Sequence, residues 1–125
     1  MKIQAILLSV LLLTGTLSQN VVANSSSSEQ LMANILIHLN HYPTDAEKSQ
    51  LSNMVKNTQS EQEKIVATAI INLLHSANTS DKKRLKQVMN DNSASQNLKS
   101  IASIIYHLNH KPSRSDKKTL TAIIQ

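Results

Sequence analysis

The sequence predicts an all-α fold of three tandem helix-hairpin repeats, forming either a short α-solenoid or a compact six-helix bundle. Three observations predict it. A self-similar unit recurs with a period of about 34–35 residues. Its apolar residues fall at helical spacing rather than in the alternation of strands. Beyond the first segment there is no glycine, since the one glycine is Gly15, and tight hairpins need positive φ.

The chain opens with an address. Lys2 supplies a positive start, and Ile3 to Leu13 is apolar apart from Gln4 and Ser9. Val21-Val22-Ala23 then offers small residues where a signal peptidase reads. Residues 1–23 are expected to be a cleavable export signal, because the apolar run is about half of the ~20 residues a membrane span requires. Residues 24–30 read as a flexible serine-rich N-terminus, with helix capping as the other reading of Ser25 to Ser28. Residues 31–125 are the helical domain. The expected location is the periplasm, with release from the cell as the alternative and no integral span after cleavage.

The repeat begins at Ala33, Ala67 and Ala102, and the three copies align without gaps. Apolar residues surround each alanine at helical spacing: Met32, Ile35, Leu36 and Leu39 in copy one, and Ile101, Ile104, Ile105 and Leu108 in copy three. A short loop follows, with Pro43 or Pro112. Capping pairs then open the second helix: Thr44 with Glu47, Asn78 with Asp81, Ser113 with Asp116. That helix carries an i, i+3, i+4 seam of Leu51-Met54-Val55, Leu85-Val88-Met89 and Leu120-Ile123-Ile124. Ser60 with Glu63 and Ser93 with Gln96 are the expected caps of the first helices of copies two and three. The period resembles that of tetratricopeptide repeats, but their Trp-Leu-Gly-Tyr and Ala-Phe signature is absent, so the likeness is one of spacing alone. No single pair can bury its stripe; three stacked pairs can.

Composition excludes several functions. There is no Cys, Trp or Phe, and there are two Tyr. Disulfides, thiol catalysis and cysteine zinc sites are therefore out, and base-stacking platforms are lacking. Without mature-chain glycine there is no phosphate loop, dinucleotide fingerprint or nucleophile elbow. No spacing assembles a nucleophile, base and orienting acid, so the chain is read as no enzyme and no cofactor is expected.

Two features remain. The net charge is +5, and it is uneven. Residues 24–64 hold three bases against five acids, whereas residues 65–125 hold nine against three. Lys82, Lys83, Arg84, Lys86, Arg114, Lys117 and Lys118 make the second helices of copies two and three basic, with Lys111 beside them. Such a face suits a protein or an anionic envelope component such as lipid headgroups; nucleic acid is not expected outside the cytosol. An acidic copy one could also meet a basic copy three of another molecule, giving self-association.

The second feature is histidine. His38 and His107 share one repeat position, and His41, His75 and His110 share another. His38-Leu-Asn-His41 and His107-Leu-Asn-His110 place two imidazoles side by side if both lie on a helix, so His38, His41, His107 and His110 are candidate ligands for Zn²⁺, Cu²⁺ or Ni²⁺. The competing reading is structural, with the later histidine closing the helix where glycine is missing. In an open stack, copies one and three would lie about 20 Å apart, taking ~10 Å per layer; only a closed bundle unites them. The sequence alone therefore favours a non-enzymatic interaction module, with metal binding as the alternative and an immunity or inhibitor protein as a third possibility.

Overall fold

A computed structural model describes residues 26–125; the export signal expected at 1–23 lies outside the described residues. Six helices follow in order: α1 (Ser27–His38), α2 (Asp45–Asn57), α3 (Glu61–Ile71), α4 (Thr79–Met89), α5 (Gln96–His107) and α6 (Arg114–Ile124). The all-α reading with three helix hairpins holds. Within the serine-rich segment 24–30, the described residues from Ser27 onward belong to α1. Ser26 caps α1 by accepting from the Glu29 N–H, and the helix begins at Ser27.

The first helices of the three copies, α1, α3 and α5, pack against one another at the centre. The second helices lie outside them: α2 against α1 and α3, α4 against α3 and α5, α6 against α5 and α1. The α6–α1 contact closes the array into a ring, so the two faces that an open stack would leave at its ends meet within one molecule. The three inner helices run parallel. Their C-terminal ends are tied by backbone hydrogen bonds described below, and their N-terminal ends by Ser26 Oγ donating to Glu63 (2.9 Å) and Ser95 Oγ donating to Glu29.

Centrality explains the composition of the inner helices. A helix with neighbours all round needs a wide apolar face. Met32, Ala33, Ile35 and Leu36 of α1, Val66, Ala67, Ala69 and Ile70 of α3, and Leu98, Ile101, Ala102, Ile104 and Ile105 of α5 are all buried. The outer helices need only a seam. Leu51, Leu85, Val88, Leu120 and Ile123 are buried, Met54, Val55 and Met89 are half-buried, and Ile124 reaches the surface.

The caps follow the sequence with two differences. Complete capping boxes open α2 (Thr44–Glu47) and α6 (Ser113–Asp116). At α4, Asn78 accepts from the Asp81 N–H but binds the Asp81 carboxylate through its own side-chain amide (2.7 Å), so the reciprocal backbone bond is missing. At α5 the cap is Ser95, accepting from the Leu98 N–H, rather than Ser93. Ser93 instead folds back on Asp91. Starting the helix at Gln96 brings Leu98 into the core, and that burial outweighs the Ser93–Gln96 pairing.

Candidate metal centre

Each inner helix stops in the same way. An apolar residue, Leu39, Leu73 or Leu108, is buried just past the last turn and anchors the exit. Two residues later comes His41, His75 or His110, and a buried Pro43, Ala77 or Pro112 follows before the outer helix starts. Proline restricts the residue before it, Tyr42 or Lys111, to extended backbone, and in all three copies, including the one with Ala77, the chain reverses at the histidine. It does so with positive φ: 74° at His41, 64° at His75 and 65° at His110. Around two of them the turn closes over a single residue. The Ser76 N–H donates to the Leu74 carbonyl (2.7 Å), and the Lys111 N–H donates to the Asn109 carbonyl (2.8 Å). A γ-turn of this sign is the rare, strained form, and left-handed backbone costs a residue with a Cβ roughly 1–2 kcal/mol.

The three turns bind one another. The His41 N–H donates to the His110 carbonyl (3.0 Å), the His75 N–H to the His41 carbonyl (3.1 Å), and the His110 N–H to the His75 carbonyl (2.7 Å). This closed ring of backbone bonds sets the three Cα positions around the bundle axis and aims the side chains at one another.

The result is a cluster of three imidazoles. The Nδ1 atoms of His41 and His75 stand 3.1 Å apart, those of His41 and His110 3.2 Å, and those of His75 and His110 3.0 Å. The ring planes are steeply inclined, at 76°, 86° and 69° pairwise, like blades about an axis. His41 is half-buried; His75 and His110 are exposed.

Hydrogen bonding cannot satisfy this triangle. An imidazole nitrogen has one in-plane site, holding either a proton or a lone pair. One N–H···N bond can form among three such atoms, and the third nitrogen then faces a pair already engaged. A metal ion satisfies all three lone pairs at once. Tetrahedral Zn–N bonds of about 2.0–2.1 Å put ligand nitrogens about 3.3 Å apart. With the spacing found here, an ion at that bond length lies about 1 Å outside the plane of the nitrogens, with N–Zn–N angles of about 100°. That is an open, slightly compressed three-histidine site.

Among the four ligands expected from sequence, the structure brings together His41 and His110 and adds His75. His38 and His107 do not join them. Each turns back along its own helix, donating from Nδ1 to the carbonyl one turn earlier, Asn34 and Ser103 respectively (2.9 Å each). The reason is the helix end. His38 and His107 are the last helical residues, whereas His41 and His110 lie beyond them in the reversed turn, so the i, i+3 geometry of a continuous helix does not apply. His75 lacks a partner at the earlier position, where Asn72 stands; its equivalence to His41 and His110 in the repeat was the signal that could have placed it.

The basic residues of the outer helices also have definite places. Lys83, Arg84, Lys86, Arg114, Lys117 and Lys118 are exposed, and Lys82 is half-buried with its ammonium 5.7 Å from the centre of the Tyr106 ring. Among the described residues the one ion pair is Lys64–Glu61 (2.8 Å), so these cations carry no carboxylate partner. The acids near them are committed elsewhere: Glu47 and Asp116 to the backbone N–H groups of Thr44 and Ser113, and Asp81 to Asn72 and Asn78. No described helix is long and apolar enough to cross a membrane. No known protein family, characterised protein or solved structure matches the chain.

Proposed function

We propose that this protein binds one divalent transition-metal ion through the Nδ1 atoms of His41, His75 and His110, in the compartment outside the cytosol to which residues 1–23 address it. One observation carries the reading: three imidazole Nδ1 atoms converge within 3.2 Å at three repeat-equivalent positions. The backbone supports it. A left-handed turn is the place for glycine, yet all three copies place histidine there and accept the strain. A residue whose task was only to end the helix would gain by being glycine. Nitrogen ligands of intermediate softness suit Zn²⁺, Cu²⁺ and Ni²⁺, with Cu²⁺ held most tightly. The role is binding or buffering rather than catalysis.

Calorimetric titration of the purified mature chain with Zn²⁺ and with Cu²⁺ tests this. One ion per chain is expected. Binding should collapse when His41, His75 or His110 is replaced by Ala and persist in a His38→Ala, His107→Ala double variant. Equal binding by the wild type and the three single variants sinks the proposal.

A second reading rests on the unpaired cations of α4 and α6. Lys82, Lys83, Arg84, Lys86, Arg114, Lys117 and Lys118 form a surface for an anionic partner, a protein or an envelope component. Reversing Lys83, Arg84, Lys117 and Lys118 to Glu should abolish its retention on an anionic partner. Unaltered retention removes that reading.

A further inference from the structure

Resting on the metal reading, we infer that the bound ion takes a phosphate group as its remaining ligand. The site supplies three protein atoms and no fourth: no further His, Cys, Asp or Glu atom joins the group among the described residues. Three-ligand sites keep an open position for an exogenous ligand, whereas closed four-ligand sites do not. With His75 and His110 exposed, the cluster is within reach of solutes.

Charge selects the class of ligand. Metal-bound imidazoles are neutral, so the ion keeps its double positive charge. The end of the bundle that carries the histidines is also where the outer helices begin, at Asp45, Thr79 and Arg114. Lys111 follows His110 directly, Arg114 is the first residue of α6, and Lys82 lies over Tyr106 in the last turn of α5. Asp45, Glu47, Asp81 and Asp116 keep their negative charge at this end, but each sits in the first turn of its own outer helix, whose partial positive charge offsets it locally. A hard, doubly charged oxygen anion meets this arrangement best, and phosphate carries nearly two charges at neutral pH and strong acceptor oxygens. A monovalent carboxylate gains less from the same field.

The same chemistry comes from two sources, orthophosphate in solution or a phospholipid headgroup. Next to the histidines the surface carries Leu74, 70% exposed, and Tyr42, 56% exposed. They flank one hydrogen bond, from the His75 N–H to the His41 carbonyl. A headgroup would bring acyl chains toward that pair; free phosphate would not.

Cobalt provides the test, because its visible d–d spectrum reports both loading and ligand exchange. The mature protein is titrated with Co²⁺, and the loaded form then receives either orthophosphate or vesicles containing phosphatidic acid. A saturable spectral change with orthophosphate, weakened about tenfold in Lys111→Glu at unchanged Co²⁺ loading, is expected for a reversed charge near the site. A change with vesicles alone, lost in a Leu74→Ser, Tyr42→Ser variant, assigns the phosphate to lipid. Three-histidine Co²⁺ loading with a spectrum indifferent to both probes overturns the inference and leaves the metal reading standing. Failure of Co²⁺ to bind the three histidines overturns both.

Discussion

The two ends of the inner helix triad obey the same approximate threefold symmetry and have treated it differently. At the N-terminal end each helix has a serine cap, Ser26, Ser60 or Ser95, and two of the caps donate to a glutamate on a neighbouring helix. The equivalents of Glu29 and Glu63 in the third copy should complete the circle, but Leu98 stands there, and Ser60 bonds to Gln62 of its own helix instead (3.3 Å). Among the described residues no buried side-chain polar atom lacks a partner, and no residue at this end has positive φ. At the C-terminal end the histidine is identical in all three copies, the turn is strained in all three, and the nitrogens meet without a hydrogen-bonding solution. Where the symmetry serves stability, a substitution such as Leu98 is absorbed by packing. At the histidine end, three identical side chains are held in three unfavourable turns, which favours a ligand that needs all of them.

Metal binding gives the sharpest separation between the ends. Removing one of three ligands should weaken affinity by more than about a hundredfold, beyond the 10–100-fold typical of losing a mere supporting group. Because the ion joins turns from all three repeats, it should also stabilise the whole bundle. At a hundredfold excess over its dissociation constant, a ligand specific to the folded state contributes about 2.7 kcal/mol. Thermal unfolding with and without Zn²⁺ checks this: a rise in Tm for wild type, absent in His41→Ala, His75→Ala and His110→Ala. Ser26, Ser60 and Ser95 variants should keep the rise in full.

Replacing histidine by glycine sets metal affinity and apo stability against each other. His75→Gly removes a ligand but relieves a residue at φ 64°, so the metal-free variant should be more stable than wild type by about 1 kcal/mol, the order of the left-handed penalty. His75→Ala loses the ligand and keeps the strain. Denaturant unfolding of both in the presence of a chelator distinguishes them. If His75→Gly and His75→Ala were both much less stable than metal-free wild type, the imidazoles would hold the bundle together without metal, contrary to the view of the cluster as a binding site. A His75→Gly protein no more stable than His75→Ala would mean that the turn is not strained.

Much of this was legible in the sequence, for a physical reason. Repeats expose which positions are fixed, and helical stripes expose which face is buried, so Met32, Ile35, Leu36 and Leu39, and Ile101, Ile104, Ile105 and Leu108, were read correctly as the buried stripe. Closure into a ring was not legible. It depends on α6 fitting the groove beside α1, a match of surfaces far apart in the chain. The site was half legible. The His-x-x-His spacing drew attention to pairs along one helix, but the helices end between the two histidines, and the true cluster runs across repeats. A glycine-free loop that must still turn, with a leucine and, two residues on, a histidine identical in all three copies, pointed to His75 as strongly as to His41 and His110.

At the other end, Ser95→Ala should cost more than Ser60→Ala. Both remove a helix cap, worth about 1 kcal/mol. Ser95 also donates to Glu29, which is only 5% exposed, and an unsatisfied buried acceptor adds about 1–3 kcal/mol. Ser60 has no such buried dependant. Chemical unfolding of the two variants measures the difference, and equal losses would show that the Ser95–Glu29 bond is not part of what joins α5 to α1.

The smallest effect belongs to Asp91, in the turn between α4 and α5. Its carboxyl is lowered from 3.8 to about 2, first by the side-chain amide of Gln62, then by the hydroxyl and N–H of Ser93, with Lys99 adding attraction. The Gln62 bond is 2.7 Å and spans from the first turn of α3 to this turn. A carboxylate with a depressed folded pKa contributes stability that is fully present above its unfolded value and is lost as pH falls through the folded one. The contribution should therefore fade between about pH 4 and about pH 2. Acid acts on the whole chain at once, so the informative quantity is a difference. Gln62→Ala removes the largest cause of the shift, and its stability should converge on that of wild type as the pH is lowered across this window. Since the histidine end has no part in this bond, the convergence should be the same with Zn²⁺ present, as far as the ion stays bound. A gap that remains constant down to pH 2 would mean that Gln62 acts through packing rather than through the charge of Asp91.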